Sequence, residues 1–192
     1  LPSMPRGRRR ACATWSINLR LHDGSGGGGH RSMVRLAPAG RTNMNAAMLC
    51  TRDVAMCSAR ATVVEAAEMM RGAHAGDLIV VREQEGRCVP VGVVTDRDIV
   101  LTVVSPDAQA GSLFVGDIMS APVATANVDD DIWLLAKRMR QHGVRRLPVV
   151  GGDGELVGIV SLDDLLRAAA ALLDELRLVA ARQPYFEEKQ RG

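Results

Sequence analysis

Aromatic side chains are scarce: two Phe, two Trp and one Tyr make up 3% of 192 residues. A core built without them must be aliphatic, drawn from Val, Leu, Ile, Ala and the nine Met. No apolar run approaches the ~20 residues that a membrane-spanning helix needs. That excludes a helical span and leads us to expect a soluble, cytoplasmic protein with no membrane contact. The four cysteines (Cys12, Cys50, Cys57 and Cys88) form no Cys-x-x-Cys pair and do not cluster with the four histidines. Such spacings fit no structural zinc pattern, so no metal site is expected. Cys57 and Cys88 sit inside apolar runs, where a thiol behaves as a small buried hydrophobe. His22, His30, His74 and His142 are scattered, and no Ser or Cys has a nearby base, so an enzyme is not expected.

Acids are equally sparse in the first 43 positions, where Asp23 stands alone against eight Arg. With a net charge of +2 overall, residues 44–192 are left at about −5, which gives nucleic acid no footprint on the folded part. The same stretch carries a four-glycine run and no sustained periodicity, and it lacks the apolar stretch of about 7–15 residues that marks a secretory signal. Residues 1–45 are therefore expected to be a disordered leader. The chain opens on Leu, and Met44 and Met48 lie just ahead of the first organised segment, so a native start near Met44 is also expected.

The chain does contain an internal repeat. Shifted by 69 positions, "VAMCSARATVVEAAEMM" (54–70) falls on "VATANVDDDIWLLAKRM" (123–139). Apolar positions 63, 66, 67 and 70 map onto 132, 135, 136 and 139, one face of a helix in each copy. The same shift sets "AGDLIVV" (75–81) on "VRRLPVV" (144–150), both short buried strands. Beyond a hairpin turn that is three residues longer in the first copy, "PVGVVTDRDIV" matches "LVGIVSLDDLL" at a shift of 66.

The pattern predicts an α/β (α+β) fold of two β-α-β-β-α repeats packed with pseudo-twofold symmetry. The first occupies 46–106 and the second 113–181, each with a short lead-in ("AAMLCTRD", "VGDIMSAP") and joined by the turn-rich "SPDAQAGS" (105–112). The last helix keeps an apolar stripe to Ala181, which either meets another subunit or folds back on its own domain. A break at Pro184 should leave 182–192 as a tail.

Two motifs recur in register, "GVVTDRD" (92–98) and "GIVSLDD" (158–164). Thr95 with Asp98, and Ser161 with Asp164, fit the Ser/Thr-x-x-Asp capping pattern at a helix start. The same geometry suits a nucleoside phosphate. The helix start and hydroxyl suit the phosphate, an ionised Asp one turn in suits ribose hydroxyls, and the strand glycine leaves room for a flat base. Asp129–Asp131 open a helix and fit first-turn electrostatics better than a metal site, while His74 and His142 suit helix C-termini.

Residues 46–181 resemble a tandem pair of cystathionine-β-synthase (CBS) domains, a Bateman module, of the stand-alone bacterial type. The resemblance rests on "DIMSAPV", "EAAEMM", "LAKRMRQHGVRRLPVV" and the paired Gly-x-x-Thr/Ser-x-x-Asp motifs. It implies a ligand-sensing regulatory module with no required cofactor. The regulatory ligand would be an adenosine compound: AMP, ADP, ATP, S-adenosylmethionine or NAD. Thr95 and Asp98 would hold phosphate and ribose at one site, Ser161 and Asp164 at the other. The resemblance also implicates Thr51–Met56 and Leu78–Val80 (with Ile79) in the first copy, and Ser120–Thr125 and Arg146–Val149 (with Pro148) in the second. Arg145 or Arg146 could offer charge to phosphate, or simply line a solvated strand edge. The first copy places Asp77 and Leu78 against Arg145 and Arg146, and Val80 against Pro148, so equal affinity of the two sites is not expected. Implied partners are a second copy of the chain, as a homodimer, and an unidentified downstream protein. The alternative is a dimerising scaffold with vestigial pockets.

Overall fold

In the computed structural model, residues 44–104 and 110–190 are described. The expected leader up to residue 43 and linker residues 105–109 lie outside the described residues. A short helix, α1 (Ala46–Leu49), leads into β1 (Met56–Ser58), α2 (Val63–Ala73), β2 (Asp77–Gln84), β3 (Arg87–Thr95) and α3 (Asp96–Ile99). The last continues as a π-helical turn, Val100–Val104. The second copy repeats the order with α4 (Val115–Ile118), β4 (Ala126–Asn127), α5 (Ile132–His142), β5 (Arg146–Val150), β6 (Leu156–Ser161) and α6 (Leu162–Gln190).

Local chemistry sets these boundaries. Thr62 starts α2 with a capping box: its Oγ1 accepts from the Glu65 N–H at 3.2 Å, and Glu65 accepts from the Thr62 N–H at 2.7 Å. Asp131 starts α5 by accepting from the Leu134 N–H at 2.8 Å. His74 and Gly143, at φ 50° and 65°, end the two helices in the left-handed region. Each copy forms a three-stranded sheet, β1-β2-β3 and β4-β5-β6, with a parallel first pair and an antiparallel hairpin. The buried faces are aliphatic, as the composition required: Leu78, Val80 and Val94 in one sheet, Leu147, Val149 and Val160 in the other. Cys57 is buried among them as a free thiol, whereas Cys88, at a buried strand position, is disulfide-bonded and is not the free thiol the sequence led us to expect.

The packing unit is not the sequence unit, because the two lead-ins are exchanged. Ala46 of α1 is fully buried in the second copy's core, against Leu135, Met139, Leu147 and Val160. Val115 of α4 is buried in the first copy's core, with Ala66, Met70, Leu78 and Val94. The Ala46 N–H donates to the Asp130 carbonyl and the Val115 N–H to the Ala61 carbonyl, both at 2.8 Å. Further along, Thr51 exchanges two backbone hydrogen bonds of 2.9 Å with Ile159 on β6. Ser120 does the same with Val93 on β3, at 3.1 and 2.9 Å. Each lead-in thus pairs with the open hairpin edge of the other copy, satisfying backbone groups that would otherwise invite aggregation.

This docking explains the strand glycines differently from the sequence expectation. A Cβ on Gly92 would lie 2.6 Å from Met119 Sδ and 3.1 Å from the Ser120 carbonyl oxygen. One on Gly158 would lie 2.7 Å from both Cys50 Sγ and the Thr51 carbonyl oxygen. The missing side chain makes room for the other copy's lead-in. A second correction concerns the C-terminus: α6 passes Pro184 and reaches Gln190, so 182–190 continues the helix instead of forming a separate tail. A proline removes one helical hydrogen bond and kinks a helix, but the strong helix formers on both sides, Ala180, Ala181, Arg182 and Glu187–Lys189, carry it on.

Gly158→Ala should therefore cost more stability than Gly92→Ala, because backbone oxygen cannot yield as the flexible Met119 thioether can. Overpacking of this kind typically costs about 1–3 kcal/mol. Urea denaturation of both variants measures the order.

Candidate functional site

Both predicted motifs fold as capping boxes. The Thr95 N–H and hydroxyl both donate to Asp98 Oδ2, at 2.9 and 2.8 Å, and the Asp98 N–H returns a bond to Thr95 Oγ1 at 3.1 Å. The Ser161 N–H and hydroxyl donate to Asp164 Oδ2 at 2.8 and 2.6 Å, and the Asp164 N–H donates to Ser161 Oγ at 3.3 Å. In this state each hydroxyl proton is committed to its own aspartate. The boxes differ beyond their shared core. Arg167 makes an ion pair with Asp164 Oδ1, whereas Leu101 stands at the equivalent place in the first copy and supplies no charge.

Between the copies lies a cleft of about 90 Å³ lined by Asp77, Ile79, Val93, Ser120, Pro122, Val123, Ala124, Val144, Arg146 and Pro148. Its walls come from both repeats: β2 and β3 of the first, and the lead-in, Val144 and β5 of the second. Ile79, Val93, Val144 and Pro148 make it mostly apolar. Asp77, Arg146 and Ser120 carry its side-chain polarity. Thr95 lies two residues beyond Val93 on the same face of β3 and directly opposite Asp77 in the hairpin. The exchange of lead-ins is what brings Ser120–Ala124 to the first copy's motif. The sequence expectation had grouped each lead-in with its own repeat. A larger hollow, about 460 Å³, lies between the hairpin tips among Glu85, Gly86, Arg87, Asp153 and Glu155. Three carboxylates line it, and its single cation, Arg87, is already paired with Glu85 and Asp153, so it is a poor cradle for phosphate.

Of the implicated side chains, Ile79, Arg146 and Pro148 line the cleft. Leu78 does not: it is fully buried in the core on the opposite face of β2. Met56 sits on β1 beside Ile79, and Thr125 is tied through its carbonyl to Arg138 at 3.1 Å. Arg145 points to solvent, 4.0 Å from Asp163. The strand alignment also needs correction. The registers Asp77–Thr95 and Arg146–Ser161 make Asp77 the counterpart of Arg146, and likewise Ile79 that of Pro148. The residue missed by sequence reasoning is Asp77 as a cleft residue; the uniform shift of 69 would have set it on Arg146.

These two counterparts touch. Arg146 Nη1 donates to Asp77 Oδ1, joining the copies across the pseudo-twofold axis. The Asp77 side chain is only 11% exposed and that of Arg146 51%. Burial raises the Asp77 carboxyl above its ordinary 3.8; Arg146 draws it down and Asp96 pushes it up again.

With the geometry in place, the comparisons identify the family. Residues 46–105 and 115–171 each match the CBS domain, and the chain belongs to the CBS-domain family. It is 36% identical over 115 residues to the CBS domain-containing protein YhcV of Bacillus subtilis, spanning 78% of that protein. It is 38% identical over 122 residues to a Methanopyrus kandleri protein, of which it spans 61%. Relatives are thus archaeal as well as bacterial, and a specifically bacterial type is not singled out. A CBS domain protein from Pyrobaculum aerophilum complexed with AMP superposes at a TM-score of 0.60 with 28% identity, over 68% of this chain and 97% of the other. A hexameric CBS-CP12 protein from bloom-forming cyanobacteria superposes at 0.57 with 30% identity, over 65% and 67% of the two chains.

The raised Asp77 carboxyl has a sign that can be tested. The folded chain keeps this proton to higher pH than the unfolded chain, so stability falls as pH rises from the unfolded value, near 3.8, through the folded one. Asp77→Asn removes that slope and should gain on the wild type over this window. Melting temperatures of the two proteins measured across it check the direction.

Proposed function

We propose that the protein is a regulatory sensor that binds an adenosine nucleotide in the cleft between its CBS repeats. The observation that carries this reading is the composite cleft, with apolar walls from both repeats and one guanidinium, Arg146, which a phosphate could take from Asp77. The AMP complex of the Pyrobaculum aerophilum relative supports the ligand class. Ligand pockets usually measure roughly 300–1,000 Å³, so a cleft of about 90 Å³ must open to admit one. That opening is the conformational signal. In the bound state Thr95 and Asp98, or Ser161 and Asp164, exchange their mutual hydrogen bonds for phosphate and ribose.

By the repeat's alignment, a mate site beside the second motif would be lined by Thr51, Asp53, Val54, Ala55, Ala75 and Ile159, with Asp53 where the first has Pro122. That extra carboxylate and the Arg167–Asp164 pair make the second site the weaker one for anions. The exposed stripe on α6 favours self-association as well: Leu166, Leu172, Leu173, Leu176 and Val179 are 53–68% exposed and are not covered by their own domain. A homodimer acting in the cytoplasm on a downstream protein fits this reading. A dimerising scaffold with vestigial pockets is the alternative that the same stripe supports.

Thermal-shift titration separates the two functions. A nucleotide that binds the folded state must raise the melting temperature progressively above its Kd. AMP, ATP, S-adenosylmethionine or NAD should do so; no shift at millimolar concentration would leave the scaffold. In calorimetry, Asp98→Ala and Asp164→Ala should each remove about half of the sites, at a capping cost of about 1 kcal/mol each. Tight binding retained by the double variant would refute the assigned motifs.

A further inference from the structure

We propose that Asp77 is a specificity determinant of the cleft: it holds Arg146 in a latch across the pseudo-twofold axis, and an anionic group enters only by taking that arginine. This rests on the nucleotide reading of the same cleft. The latch joins counterpart positions, the first copy contributing the carboxylate and the second the guanidinium. Had the repeat been exact, the axis would carry two like charges and no bridge. Its polarity instead leaves the cleft one cation that is neutralised at rest.

The neighbouring groups reinforce that assignment. Arg145 faces Asp163 at the surface and does not line the cleft. Asp96 approaches Asp77 closely enough to oppose its ionisation, so the acid side of the latch already bears a like charge. Both Asp77 and Arg146 line the narrow cleft, where their bridge spans from β2 to β5 and resists separation of the copies. A phosphate oxygen that pairs with Arg146 forks onto the guanidinium as the carboxylate does. It also leaves Asp77, a nearly buried carboxylate, without its counter-charge, which is costly. A neutral ligand pays only for opening. The cleft therefore discriminates against anions relative to neutral nucleosides until Asp77 is neutralised.

Calorimetry of the full chain with AMP, adenosine and pyrophosphate as separate probes tests this. A hydrogen bond to a charged group is worth enough that freeing Arg146 should improve the AMP-to-adenosine affinity ratio by about tenfold in Asp77→Asn. Asp77→Glu, which keeps the carboxylate, should return the ratio toward the wild type, and Arg146→Gln should collapse it. A purely structural role for Asp77 moves both ligands together with the melting temperature; an unchanged ratio in Asp77→Asn, with both ligands binding, overturns the latch and leaves the nucleotide reading intact. Pyrophosphate binding gained by Asp77→Asn upholds the latch; if AMP, ATP, S-adenosylmethionine and NAD all fail to bind, it does so while overturning the nucleotide reading. No binding of any probe by either protein overturns the latch, and the nucleotide reading falls with it if ATP, S-adenosylmethionine and NAD also give no thermal shift.

Discussion

The structure depends on the docking of each lead-in against the other repeat's hairpin. Four backbone hydrogen bonds, Thr51 with Ile159 and Ser120 with Val93, hold these segments in place. Two strand glycines let them come close, and one buried alanine or valine from each lead-in fills the opposite core. Neither repeat completes its core or covers its hairpin edge with its own residues. A unit of about 60 residues is marginal alone, and the exchange makes the two copies one cooperative body. The cleft is a product of the same exchange, since Ser120–Ala124 reach the first copy's motif only because their segment has crossed over.

The two glycines also show how one residue type serves a need that its motif conceals. In sequence, Gly92 and Gly158 precede the hydroxyl and aspartate by fixed distances, as parts of one binding motif would. In space they face Met119 and Cys50, themselves counterparts at a shift of 69. The motif therefore joins two functions on one strand. Its start accommodates the partner segment, and its end begins a helix. Thr95 does not itself line the cleft, but β3 alternation places it on the face of Val93, opposite Asp77, and both of those do.

What could be read from the sequence was local or periodic. Helical stripes and the two capping boxes rest on residues three or four positions apart, and both appear in the structure. The long C-terminal helix was legible as an apolar stripe, but its passage through Pro184 was not, because one lost hydrogen bond does not outweigh helix formers on either side. Long-range pairing was legible only as far as the repeat went. Which lead-in docks on which hairpin depends on contacts between residues 27 to 108 positions apart, such as Ser120 with Val93 and Thr51 with Ile159. The Asp77–Arg146 bridge was hidden for another reason: aligning the strands one residue out of register separated the two charges that the uniform shift superposes.

The central claim is that the ligand cleft is composite, with walls contributed by both repeats. A crystal structure of the protein soaked with AMP tests it most directly. The account predicts a nucleotide bounded by Val93 and Ile79 of the first repeat and by Ser120–Ala124 and Arg146 of the second, with Arg146 turned from Asp77 toward phosphate. A nucleotide held wholly within one repeat would contradict it; AMP bound between the repeats with the Asp77–Arg146 pair undisturbed would overturn only the latch.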